Sequence, residues 1–166
     1  MKADVQAGSS EIPDCAANRM IGWTSLALGA LTGLVMGMWS FDGPVNTPHL
    51  LGDYADTARR LARLGHIAFF GLGFINLFLA RELVLLRQEA RTARLTCLAM
   101  NLGNIFLPLT LFLAAVYHPA KYLLVIPAAC VTLAVTRMAY GECTAHRRAV
   151  VDDRLDVTKR SRKVSL

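Results

Sequence analysis

Imidazole binds haem iron and transition metals and moves protons near neutral pH, so the four histidines are the first side chains to weigh. His66 stands three residues past Arg63, where an apolar run opens, and His118 ends another at Tyr117-His118-Pro119. Two histidines at the same end of neighbouring helices form a candidate bis-imidazole haem b site or half of a metal site. His66 and His118 are therefore the candidate cofactor ligands. The reading favoured over ligation is an interfacial or hydrogen-bonded role for both. His49 falls on the same side, and His146 lies apart near the C-terminus.

The cysteines add nothing to such a site. No Cys-x-x-Cys-His occurs, which excludes covalent attachment of haem c at that motif. Cys15, Cys97, Cys130 and Cys143 lack metal-ligand spacing, and a reducing compartment disfavours disulfides between them. Cys15 follows Pro13-Asp14 without the apolar stretch of a lipoprotein signal, and reads as an ordinary thiol. Neither a phosphate loop, a nucleophile elbow nor His-Glu-x-x-His is present, so no catalytic residues are assigned.

Two further sets matter because of where they lie. Asn76, Asn101 and Asn104 interrupt long apolar runs, and an unpaired amide in hydrocarbon costs several kcal/mol. Asn76 and Asn101 fall at comparable depth in antiparallel neighbours, so a hydrogen bond between helices is expected, with a polar pathway as the alternative. Gly29, Gly33 and Gly37 repeat at four-residue spacing, a stripe that lets another backbone approach closely in lipid. Packing inside the same chain is the favoured reading. Contact with a second protein is the other.

The elements that must position these residues follow from composition. Hydrophobic residues make up 54% of 166 and charged residues 18%, with a mean hydropathy of +0.40, too apolar for an ordinary soluble domain. No Asp, Glu, Lys or Arg occurs within 20–40, 64–80, 95–117 or 122–136. A run of about 20 apolar residues forms a helix long enough to cross hydrocarbon about 30 Å thick. The short runs extend past Arg81-Glu82 and Arg137 into further apolar residues. The fold class is accordingly an all-α integral membrane protein, a bundle of four transmembrane helices spanning about 20–40, 64–86, 95–117 and 121–140. Residues 1–19 form an N-terminal cytoplasmic segment, 20–140 the membrane domain and 141–166 a basic cytoplasmic tail. The alternation of a membrane β-barrel is absent.

Orientation comes from the positive-inside rule. Fourteen of the eighteen Lys and Arg residues fall on the side of the two termini and the connection between the second and third spans. That predicts both termini in the cytoplasm, in a cytoplasmic (inner) membrane. Trp23 and Tyr140 mark one interface, and Trp39, Phe41, Tyr117 and Tyr122 the other. The net charge of +6 reports this topology and attraction to anionic lipid, since no basic and aromatic platform for nucleic acid accompanies it.

Asp42-Gly43-Pro44 and Asn46-Thr47-Pro48 form turns in the first loop, and Asp56 or Thr57 caps the second helix. Pro108 and Pro127 are candidate kink sites. The functional expectation is a non-catalytic subunit or assembly partner of a larger membrane complex, with a respiratory complex as the candidate suggested by the small-subunit format, and with the bilayer and a membrane protein or a second copy as partners. Haem b or metal-dependent electron transfer through His66 and His118 is the first alternative. A small transporter or channel is the second, disfavoured because charges avoid the interior.

Overall fold

The computed structural model describes residues 15–40, 43–51, 56–86 and 89–164, with the side chains of Leu50, Ala149 and 152–164 left aside. Residues 1–14, Phe41, Asp42 and Arg87 lie outside the described residues. Four helices follow one another: α1 (Ala16–Gly37), α2 (Thr57–Leu85), α3 (Ala90–Val116) and α4 (Val125–Val164). All four are long and apolar enough to cross a membrane, and no strand occurs among the described residues. The chain is an all-α membrane bundle.

Each boundary has a local cause. α1 frays through Met38 and Trp39 into a turn in which Val45 donates its amide to the Met38 carbonyl at 3.0 Å. A β-carbon at Gly43 would collide with that same carbonyl oxygen, so glycine is required where the turn folds back. Asp56, in extended backbone, occupies the capping position before α2. The carbonyl of Trp39, just past the end of α1, accepts from Arg59 Nη2 at 3.3 Å, placing a cation where the helix dipole is negative.

α2 and α3 both run beyond their charge-free stretches and meet across residues 86–89, so the two helices share the extension expected of the second alone. A 3₁₀ segment, His118–Leu124, closes the α3–α4 hairpin. α4 begins at Val125, so Pro127 sits in its first turn, where a missing N–H costs nothing, and is not an interior kink site. Pro108 is inside α3 and removes the amide that would bond the carbonyl of Asn104.

Residues 141–164 continue α4 as one helix. A single Gly141 costs about 1 kcal/mol relative to alanine, too little to end a helix with Ala, Glu and Arg on either side. The 40 residues of α4 measure about 60 Å, roughly twice the hydrocarbon thickness.

Packing is sequential. α1 lies against α2 and, more lightly, α3; α2 lies against α3; α4 packs chiefly on α3. The core joins Leu72, Leu79 and Leu83 of α2 to Ala93, Cys97 and Met100 of α3, with Ala134 of α4. At Gly103 a β-carbon would meet Val131 Cγ2, which is how closely α4 approaches α3.

Candidate functional site

The residues buried on α1 are Asn18, Gly22, Ser25 and Gly29, at spacings of four, three and four that trace one face of a helix. That face turns a small or polar side chain toward α2 and α3 at every step.

At one level it builds a closed ring of three amides. Asn18 Nδ2 donates to Asn76 Oδ1 at 2.6 Å, Asn76 Nδ2 to Asn101 Oδ1 at 2.9 Å, and Asn101 Nδ2 to Asn18 Oδ1 at 3.1 Å. Asn18 and Asn76 are buried, and Asn101 is partly exposed. A ring of amides satisfies one donor and one acceptor per residue, which makes them tolerable between helices in lipid. Asn18 Nδ2 also reaches the backbone carbonyl of Cys97 at 3.3 Å. Because a carbonyl only accepts, this contact fixes which way the ring of donors runs.

Asn104 is paired differently. Its Oδ1 accepts from Ser25 Oγ at 2.9 Å, while its buried Nδ2 has no hydrogen-bond partner among the described residues. Rotating the amide would let Nδ2 donate to the hydroxyl and leave the oxygen over instead. Below the ring, Cys15 and Cys97 place their sulfurs 3.6 Å apart, both buried. Cys15, read from the sequence as an ordinary thiol, is thus a core residue at the start of α1.

The glycine stripe faces α2 over most of its length. β-carbons at Gly22, Gly29 and Gly33 would stand 2.8 Å from Leu77 Cγ, 2.9 Å from Phe70 Cδ2 and 2.5 Å from His66 Cε1 respectively. At Gly37 nothing lies within 4 Å of a β-carbon. The stripe therefore receives side chains of the same chain at Gly29 and Gly33, as Gly22 does before it, with Gly37 open.

His66 lies in this contact. Its Nδ1 is 3.2 Å from Thr32 Oγ1, and its ring meets Phe70 edge-on at 5.3 Å between centroids. Thr32 Oγ1 also reaches the carbonyls of Leu28 and Gly29, at 2.8 and 3.0 Å. His118 is exposed on the 3₁₀ segment, which packs against α3 and α4, whereas His66 turns toward α1. The two candidate ligands thus have different neighbours. Among the described residues no three His, Cys, Asp or Glu side chains gather into a metal-binding group.

Reading the sequence for polar residues inside charge-free runs finds Asn76, Asn101 and Asn104 but misses Asn18, Ser25 and Thr32. The signal for Asn18 was the stripe itself, which continues back from Gly29 through Ser25 and Gly22 to Asn18.

No family model matches the chain, and no curated protein and no solved structure is significantly similar to it.

Proposed function

We propose that this chain is a non-catalytic subunit or assembly partner of a larger membrane complex, held with both termini on the cytoplasmic side. The observation that carries the reading is the amide ring: Asn18, Asn76 and Asn101, which would have to line a polar pathway, are hydrogen-bonded to one another. Polar groups used in this way hold helices together and leave no row of free donors along a conduction path. Two further features agree with it. α1 and α4 are far less buried than α2 and α3, so their apolar surfaces are available to lipid or to other helices. Leu34 of α1 and Ile126 of α4 are among the large residues so exposed.

The test is recovery of the tagged full-length chain from its native membrane in mild detergent. The expected result is one assembly larger than the 18.1 kDa chain, with partners in fixed stoichiometry. Recovery of the chain alone, with substrate flux in liposomes or a visible chromophore, overturns it.

A further inference from the structure

We propose that the groove between Leu86, Glu89 and Thr92 on one side and the extension of α4 on the other binds one phosphate group, such as the phosphodiester of a phospholipid headgroup. The groove has a volume of about 740 Å³. Leu86, Glu89 and Thr92 form one wall, and Arg137, Tyr140 and Arg148 stand on the other. The α4 residues recur at three- and eight-residue intervals, which keeps them on one face of the helix.

Arg137 supplies the chemistry. The residue lines the groove and is partly exposed there, while its Nη1 is buried and has no hydrogen-bond partner among the described residues. A guanidinium nitrogen in that position lacks an acceptor, and planar, bidentate recognition of an oxyanion is what guanidinium does best. Arg148, exposed about 16 Å further along the helix axis, adds positive potential at the outer end. Glu89 is exposed on the facing wall, so the two arginines still leave the groove positive. Its carboxylate can accept from a hydroxyl or ammonium of a headgroup.

Depth favours the same ligand class. Arg137 is the first charge after the run 122–136, and the facing wall lies just past Arg81-Glu82. The groove therefore straddles the boundary where hydrocarbon gives way to headgroups, and where phosphates are concentrated. This inference does not depend on any partner complex.

The test titrates the full-length chain in non-ionic detergent with dioctanoylphosphatidylglycerol, with inorganic phosphate and with dioctanoylglycerol, which carries no phosphate. Native mass spectrometry counts the adducts. The expected result is one saturable adduct with a phosphate-bearing probe, and the probe that saturates at the lower concentration identifies lipid or free phosphate as the source. Arg137→Gln should weaken it about tenfold, the loss of a charge-assisted hydrogen bond. Arg148→Gln should weaken it less, and Glu89→Gln should tighten it. Arg91→Gln, an exposed arginine outside the groove, should stay within about twofold. Equal binding of dioctanoylglycerol, or an equal loss in Arg91→Gln, overturns the site. Should Arg137→Gln fail to fold, unchanged affinity in both Arg148→Gln and Glu89→Gln overturns it as well.

Discussion

The imidazole of His66 rests on Gly33, and its Nδ1 shares a hydrogen bond with Oγ1 of Thr32, the residue just before that glycine in α1. A histidine between two helices in this way needs a small residue beneath it and a hydroxyl beside it, and α1 provides both in adjacent positions. Overfilling Gly33 should force the helices apart, at about 1–3 kcal/mol. Gly33→Leu is therefore expected to lower the unfolding midpoint in detergent, while Val35→Leu, at a position 41% exposed, should leave it nearly unchanged. Equal tolerance of both would show that α1 does not pack on α2 through this face.

The amide ring gives a second expectation. Asn76→Leu opens the ring and leaves Asn18 and Asn101 each without one partner, so destabilisation of about 1–3 kcal/mol is expected. Asn104→Leu removes an amide that already has one atom unpaired, and should cost less. Unfolding in mixed micelles compares the two, and a larger loss at Asn104 would contradict the pairing described.

The cysteines provide a geometric check on α1 and α3. Sulfurs 3.6 Å apart need only a small approach to reach the roughly 2.05 Å of a disulfide. A membrane-permeant two-electron oxidant such as diamide should join Cys15 to Cys97 within one chain, and mass mapping should find that bridge ahead of any involving Cys130 or Cys143. Preferential formation of another pair would place the start of α1 elsewhere.

Orientation is tested by single cysteines in a background lacking the four native ones. Substitutions at Ser9 and Ser165 should be labelled only after the membrane is permeabilised, and one at Asn46 from outside without it. An externally labelled C-terminus would reverse the proposed topology.

Charge-free runs locate α1 to α4 because hydrocarbon excludes ionised groups so strongly that their absence is nearly a ruler. The same ruler does not mark helix ends. The first charge-free run opens after Arg19, while the helix begins at Ala16 and carries Arg19 on an exposed side with Asn18 turned inward. Burial is decided by which way a side chain points, and that is periodic, whereas a charge count is not. Asn76 and Asn101 were readable as a pair from their depth alone. That a third amide would close the ring was legible only by following the small-residue face back past the first charge. The groove at Arg137 was hidden for another reason: it needs α4 to remain helical beyond Gly141, and nothing in the basic composition of 141–166 distinguishes a helix from a solvated tail.

A closed ring also has an order of assembly built into it. Asn76 and Asn101 belong to consecutive helices joined by a short connection, so their bond can form as soon as that hairpin is inserted. Asn18 enters from α1, which is synthesised first but separated from α2 by the longest connection in the bundle. Through that interval its amide has no neighbour of its own chain at the right depth. Asn18, which stands next to Arg19 at the end of the apolar run, can then bond only to water or headgroups, and the completed α2–α3 hairpin is what offers it partners of its own chain.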